Sequence, residues 1–524
     1  MIKTLTLLLF IVLFSACSSY DDTKRIPTFV GDINDTLTWY SDMQNRVYEF
    51  NVSFASPNTS GYTFQNVLDD TDPYDSYEPY LDATLYTESF SHTNAPANAV
   101  LKQKGKSTRD ADYKSFRIKL NSTTDLLMNE RVFQLNKHFF DPTRIRNKLF
   151  MDLFIGIPDF MSLKTRFVKL NINNEDYGLF THVENVAEEY LKNRGFNEKD
   201  NLYKAQNFSF YLEPQLALSN GKPINKEAFE SVIELQSGED YPKLIEMLEA
   251  LNRENVNIDA VIAKYFNREN YLTWFAINII TGNLDTISQN FFLYNPRYSD
   301  TFYFIPWDYD GAGEEYGFYN QEHLGLSIWW DVSLHKAFLK IKKNRDDLDA
   351  KINYLLANYL TPERYREKID SYKSIIKPIL ERQPDSEHLN ITTWEAHVDA
   401  IPDEIARNVA YYRNELGRPM PFWQETYIDP DDGRRSFSWG ESYDFEGDEI
   451  IYDLYVSQTP EFTSNIIEKK GLTQTVYKEE IPSGTYYMKV VAYEKNNPSS
   501  YTVGFEIANY NDKPYDGVLE ITIE

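Results

Sequence analysis

The chain is poor in the residues on which much extracellular chemistry depends. It holds one cysteine in 524 residues, Cys17, which removes disulfides and thiolate catalysis together and leaves the folded body to be held by its cores alone. The seven histidines (His92, His138, His182, His323, His335, His388 and His397) never fall at the H-E-x-x-H spacing that puts two zinc ligands on one helix face, which argues against a zinc hydrolase. There is no G-x-S-x-G elbow to expose a nucleophilic serine. Basic residues are outnumbered, 53 Lys and Arg against 80 Asp and Glu, for a formal net charge of −27. A chain so acidic repels nucleic acid and anionic membrane surfaces. Beyond the first 16 residues no apolar run is long enough to span a bilayer, and the longest, residues 274–281, has the length of a buried core segment. Internal repeats and low-complexity tracts are also lacking.

What is present begins at the amino terminus. Lys3 is followed by an apolar run over residues 5–14, then by Ser15, Ala16 and Cys17, the layout of a secretory signal rather than a spanning helix. The ending F-S-A-C resembles a bacterial lipoprotein box, in which the cysteine is lipidated after cleavage. A short polar tether follows, and its Asp21 and Asp22 resemble the surface-export signal of some bacterial lipoproteins. The expectation is a bacterial cell-envelope protein, lipid-anchored through Cys17 at the outer membrane and exposed at the surface.

The most informative stretch is residues 282–311, GNLDTISQNFFLYNPRYSDTFYFIPWDYDG. An acid, Asp285, is followed by an amide, Asn290, then by two aromatic-rich runs around a proline turn, then by Asp308 and Asp310. Acid, amide, strand, turn, strand, acid is the order in which a kinase arranges a proton acceptor and two oxygen ligands for magnesium. Mg²⁺ needs only one or two carboxylates when phosphate oxygens and water complete its octahedron. Asp and Asn are also common turn residues, and D-x-D-G alone could cap a turn or hold calcium. The proline and two aromatics flanking the acids set this stretch apart from a simple solvated turn. The pair Asp308 and Asp310 could also serve a glycosidase, for which the two acids would have to face each other across a sugar.

These residues resemble the signature of the CotH kinase family of atypical, spore-coat-type kinases. Further segments are similar in the same order: Lys104, Gly105, Lys106, Ser107 and Thr108 with the run KSFRIKL at 114–120; Asp141, Arg144, Arg146 and Asn147; VKLNINNEDYGLFTHVE at 168–184; and NLYK at 201–204. The resemblance covers roughly residues 28–420. It implies a protein-kinase-like fold and transfer of phosphoryl from ATP with Mg²⁺ or Mn²⁺, with Asp285 as the catalytic acid/base, Asn290 and Asp308 as metal ligands, and Asp310 as a further ligand or loop support. Asn174 and Phe180 depart from the family's usual Gly and Tyr. Against ordinary kinases there is no G-x-G-x-x-G loop and no H-R-D, and D-Y-D-G replaces D-F-G. The turn 105–108 and lysines are then left to hold the phosphates.

Alternation along 114–120 places Phe116, Ile118 and Leu120 on one face and Ser115, Arg117 and Lys119 on the other. The order F-R-I-K parallels the kinase strand whose lysine meets the phosphates, so Lys119 is the natural partner, with Lys114 and Lys204 as rivals and a solvated charged face as the plain reading. Glu184 falls where a hinge toward adenine would lie, or equally serves as an acid at a helix start.

Periodicity predicts strands over 28–185 with a helix near 142–156, helices over 186–284, a helical region over 332–381 entered through Thr361–Pro362–Glu363, and a last helix over 401–416 stopped by Gly417 and Pro419. From about residue 418 the composition turns to Pro and Asp and then to short alternating strands, a pattern similar to a fibronectin type III module in which Trp439 and Tyr487 would pack between two sheets. The expected fold is α+β: a two-lobed protein-kinase-like domain followed by a small all-β sandwich. The expected boundaries are 1–16 signal peptide, 17–27 tether, 28–420 kinase-like domain, 421–434 linker and 435–524 sandwich, the last read as a spacer or binding module. The expected function is phosphoryl transfer from Mg-ATP to a hydroxyl of a protein substrate or envelope partner. The alternative is a kinase-like surface protein without catalysis that serves adhesion or assembly.

Overall fold

A computed structural model describes residue 33 and residues 37–56, 58–72, 76–90, 97–313 and 321–523. The amino-terminal signal, Cys17 and the tether lie outside these.

Seven strands close into a barrel: β1 (Val47–Phe54), β2 (Tyr80–Tyr86), β3 (Ala99–Lys104), β4 (Ser115–Leu120), β5 (Val132–Asn136), β6 (Thr165–Ile172) and β7 (Glu175–Glu184). Their order is β1-β2-β3-β4-β5-β7-β6, and the parallel pairing of β1 with β6 closes the ring and leaves no open edge. Residues alternate in and out along each strand. Phe116, Ile118 and Leu120 of β4 therefore enter one enclosed core with Phe50, Leu101, Phe133 and Leu170, as the alternation predicts. The barrel is the amino-terminal lobe, and a helix, Arg146–Phe154, is inserted between β5 and β6.

The second lobe has its own, larger core. It is not wholly helical at its start. NLYK belongs to a strand, β8 (Asn201–Ala205), which is followed by the small hairpin β9 (Leu218–Ser219) and β10 (Lys222–Pro223), and then by β11 (Ile233–Ser237). With β12 (Phe291–Asn295) and β13 (Tyr303–Pro306), β8 and β11 form a four-stranded sheet, β11-β8-β12-β13. A strand of NLYK length carries too few residues for its period to be told from a helical turn. The β12–β13 hairpin pairs Phe291 with Pro306 and Tyr294 with Tyr303, so Asp285 and Asn290 enter at the same end of the sheet from which Asp308 leaves. Behind the hairpin lies the helix Arg268–Thr281, capped by the Asn267 side chain and buried from Asn270 to its end. It stops at Gly282, whose φ of +60° is left-handed and whose missing Cβ would stand 2.6 Å from the Asn408 amide.

Three helices follow, Ser333–Leu339, Lys342–Asn358 and Pro362–Leu380. The last begins as expected, with Thr361 Oγ1 accepting from the Arg364 N–H at 3.3 Å. Thr361→Ala should lower stability by about 1 kcal/mol, the usual worth of such a cap, measurable by denaturant titration. The final helix of the lobe, Ile391–Glu415, starts ten residues before the predicted position and runs through Pro402. Trp394, Val398, Ile401, Ile405, Val409 and Tyr412 form one buried face across the proline, and that packing outweighs the hydrogen bond the proline cannot make.

The carboxy-terminal strands make two sheets over a third core. One is β14 (Gln424–Ile428), β15 (Arg435–Trp439) and β18 (Val476–Glu479), in the order β14-β15-β18. The other is β17 (Asn465–Leu472), β16 (Ile450–Ser457), β19 (Gly484–Glu494) and β20 (Asn497–Val503), in that order. A hairpin of β21 (Ile507–Tyr510) and β22 (Lys513–Asp516) intervenes before β23 (Val518–Ile523), which pairs with the first half of β19. Two expectations change here. β14 lies inside the predicted linker. Tyr487 does not pack between the sheets: Tyr486 does, with Trp439, while Tyr487 faces the other way under the hairpin with Ala508 and Val518, since adjacent strand residues point oppositely. The sandwich is also no loosely tethered spacer. Tyr443, Phe445 and Phe505 pack on the core of the helical lobe, Trp423 Nε1 donates to Asp331 at 2.6 Å, and the His323 ring meets the Gly504 carbonyl at 3.1 Å.

Candidate active-site cleft

Between barrel and helical lobe lies a cavity of about 470 Å³ whose wall brings together Asp285, Gln289, Asn290, Asp308 and Asp310 from the hairpin ends with Lys104, the turn after it, and Lys204. The order in the chain explains the first group. Asp285 sits in a single 3-10 turn, Leu284–Thr286, and both its carboxylate oxygens accept hydrogen bonds, from Gln289 Nε2 at 2.7 Å and Asn290 Nδ2 at 2.6 Å. Asn290 thereby turns its amide nitrogen to the acid, which leaves its oxygen as the group it can offer a cation.

Asp308 is held by the helix inserted between β5 and β6. Asn147, at the start of the helix Arg146–Phe154, donates from Nδ2 to Asp308 Oδ1 at 3.3 Å and accepts the Tyr309 N–H at 3.3 Å. Tyr309 points away into the core, its hydroxyl donating to Asn278 Oδ1 at 2.6 Å. Asp310 pairs with His138 Nδ1 at 3.0 Å. Just beyond, Ala312 gives its carbonyl to buried Arg146 at 2.7 Å, and Arg146 also grips Glu404 through two bonds of 2.6 and 2.9 Å. Three residues here have left-handed backbone although none is glycine: His138 at φ 47°, Asn290 at 56° and Asp308 at 55°. Such conformations persist where surrounding contacts over-determine them, and they gather at functional sites.

The electrostatics separate the two acids. Burial, and then the neighbouring charge of Asp310, push Asp308 up to about 7, against the pull of Lys104 and His138. Burial acts on Asp310 in the same sense, but its bond to His138 and the charges of His138 and Lys104 outweigh it and hold Asp310 below the usual carboxylate range. Lys104 is pushed below the usual lysine range by burial, which exceeds the support of Asp308. Two half-buried carboxylates, with the Asn290 amide oxygen lining the same cleft, are a hard-oxygen set of the kind Mg²⁺ takes. Among the described residues no group of three or more His, Cys, Asp or Glu could enclose a metal unaided, so any cation here would need ligand oxygens from a phosphate or water.

The other expected site residues are placed differently. Lys119 is exposed and outside the cleft wall. Lys114 donates its amine to the Arg109 carbonyl. Glu184 is buried in a two-pronged pair with Arg194, both contacts 2.8 Å, and accepts the Lys164 N–H. It is neither in the cleft nor a helix cap. The residues after it, Asn185 and Val186, do line the cavity. The turn 105–108 is at the wall, and Gly105, at φ 100°, is required there because a Cβ would meet Thr108 Oγ1 at 1.9 Å. Lys104, His138 and Asn147 carry the site without having been assigned roles. Lys104 and Asn147 lay within quoted motifs, while His138 had no signal beyond being a histidine.

A family model described as CotH kinase protein matches residues 101–412, from β3 through the last helix of the second lobe. The chain belongs to the CotH kinase family. It is similar to the inner spore coat protein H of Bacillus subtilis, 25% identical over 320 residues that cover 60% of this chain and 86% of that protein. It is also similar to the invasin CotH3 of Rhizopus delemar, 24% identical over 207 residues, 36% of this chain and 33% of the invasin. Here the chain spans about a third of its relative's length. A solved structure of the HipA–HipB toxin–antitoxin complex with operator DNA from Shewanella oneidensis is similar at 12% identity, covering 64% of each chain, with a TM-score of 0.24. The CotH match includes Asp285, Asn290, Asp308 and Asp310 and stops short of the carboxy-terminal sandwich.

Proposed function

We propose that this CotH-family chain is a metal-dependent phosphotransferase acting on a protein hydroxyl. One observation carries the reading: Asp285, Asn290, Asp308 and Asp310 converge with Lys104 on one cleft between two lobes. Asp308, Asp310 and the Asn290 oxygen would hold the cation. Mg²⁺ bound there would neutralise charge on the phosphate oxygens of ATP. Asp285 would accept the acceptor hydroxyl's proton as that oxygen bonds to the γ-phosphorus and the bond to the β–γ bridging oxygen breaks, releasing ADP. Gln289 and Asn290 orient the Asp285 carboxylate, and Lys104 counters charge beside Asp308.

A second reading, a catalytically silent adhesion or assembly protein, is favoured by the two hydrogen bonds that already occupy Asp285 and by the similarity to an invasin. In both readings the protein sits in the bacterial envelope, anchored through Cys17 at the outer membrane. The sandwich is proposed as fibronectin type III-like, a reading supported by its two-sheet order and by Tyr486, whose hydroxyl donates to the Pro482 carbonyl at 3.0 Å in the manner of a tyrosine corner.

Calorimetric titration of the full chain with ATP, with and without Mg²⁺ or Mn²⁺, separates the two. Metal-dependent binding supports the enzyme, and no binding at millimolar nucleotide supports adhesion. Asp285→Asn should leave that binding within about twofold while lowering phosphoryl transfer by about a hundredfold or more, the usual contribution of a general base. Equal transfer by parent and variant would remove Asp285 from the mechanism.

A further inference from the structure

Strand β4 presents Arg117, not Lys119, to the cleft. The cations beside it are largely committed: Lys102 to Glu78, Lys104 to Asn136, Lys106 to Gln206 at 3.2 Å, and Arg109 to Asp70 and the Gly105 carbonyl. Among the described residues, Arg117 is the cleft cation whose guanidinium has no hydrogen bond or ion pair. Its nearest counter-charge, Glu78, is taken by Lys102. Arg117 is nonetheless partly buried, and burial disfavours its charge. A guanidinium does not shed its proton at any ordinary pH, so this half-buried charge, supported only by a carboxylate already paired with Lys102, favours an anion beside it. Arg117 and Lys204 lie close enough to bear on Lys104, and so do Asp308 and Asp310. The positive and negative groups thus meet around Lys104. A polyphosphate with its cation has this same distribution of charge.

We propose that Arg117 is the residue that binds the polyphosphate of the nucleotide in this cleft, its planar fork taking two phosphate oxygens where other kinases use a strand lysine. This assignment rests on the nucleotide reading above. The fork geometry matches phosphate in a way a lysine's point charge does not. Arg117 is a binding residue here and takes no part in proton transfer. It pairs across β3 and β5 with Lys102 and Gln134, so the barrel holds its backbone on both sides.

The test titrates the full chain, parent and the variants Arg117→Gln, Arg117→Lys and Lys119→Gln, with Mg-ATP, with inorganic tripolyphosphate and with adenosine. Arg117→Gln is expected to weaken both ATP and tripolyphosphate by about tenfold or more, as loss of a charge-assisted contact requires, with adenosine unchanged. Arg117→Lys should fall between, and Lys119→Gln should match the parent. Thermal melting verifies that each variant is folded, and Arg117→Lys serves if Arg117→Gln is not. A parent that binds ATP, with Arg117 variants binding tripolyphosphate equally well, overturns the assignment and spares the nucleotide reading. A parent that binds tripolyphosphate through Arg117 but not ATP supports the anion site and removes the nucleotide. Binding of neither by the parent overturns both.

Discussion

Asp308→Ala is expected to abolish metal-dependent nucleotide binding while leaving a folded protein. Asp308 is the acid at which burial and a second carboxylate compete most strongly against ionisation, with a pKa pushed up to about 7. A cation between Asp308 and Asp310 would relieve that repulsion, so removal of Asp308 takes away the stronger reason for metal to enter. The same shift makes a stability prediction. In the unfolded chain an aspartate ionises near 4; folded, Asp308 ionises near 7. The folded state therefore binds the proton more tightly, and the stability this contributes is fully present below about pH 4 and lost as pH rises through 7. Without metal, the parent should lose stability from pH 5 to pH 8 relative to Asp308→Asn. The difference should be about 1–2 kcal/mol once the partial exposure of Asp308 is allowed for. Added Mg²⁺ should restore the parent at pH 8 and do little for the variant. Melting curves at the two pH values, with and without the cation, measure this. A parent and variant that melt in parallel across that range would sink the repulsion argument.

Arg146→Ala should give the largest loss of stability of any single change near the site, about 3–5 kcal/mol. The side chain is fully buried, holds Glu404 through two bonds, lies 3.6 Å from Asp141, and donates to the Ala312 carbonyl. Removing it takes a counter-charge from Glu404 and from buried Asp141 and frees the backbone just after Asp310. Arg146→Lys cannot reproduce the fork and should recover only part of the loss. The outcome is read by denaturant unfolding, with nucleotide titration as the second readout. Because Ala312 anchors the segment that carries Asp308 and Asp310, binding should weaken even where the variant remains folded. Unchanged unfolding would mean that the Arg146–Glu404 pair contributes nothing net.

The residues that were legible in the sequence share one property: they are near one another along the chain. Asp285, Asn290, Asp308 and Asp310 fall within 26 consecutive positions, and a single hairpin suffices to bring them together, so their order alone announced a candidate site. The cap at Thr361, the buried helix before Gly282 and the inward face of β4 were legible for the same reason, since caps and alternation are local. Lys119 shows where that reasoning ends. Alternation establishes that Arg117 and Lys119 share a face, but only the closure of the barrel against the helical lobe determines which of the two stands at the cleft. Glu184 is the same case: the sequence places it at the end of β7, and its capture by Arg194 depends on how the following helix folds back. Pro402 misleads in the opposite direction, because a buried face spanning both sides of it holds the helix together.

The amino-acid sequence by itself determined the family, the hairpin with its acids and amide, the predominance of strands before helices, and the all-β carboxy-terminal region. Each of these follows from residue type and short spacing. Only the tertiary structure decided that Lys104, His138, Asn147 and Arg146 serve the hairpin, that Arg117 faces the cleft, and that the sandwich packs on the helical lobe. Those relations join residues far apart in the chain, such as Asn147 and Asp308, 161 apart, or His138 and Asp310, 172 apart. Contacts of that kind are set by the packing of two separately cored lobes, and no local period in the chain encodes them.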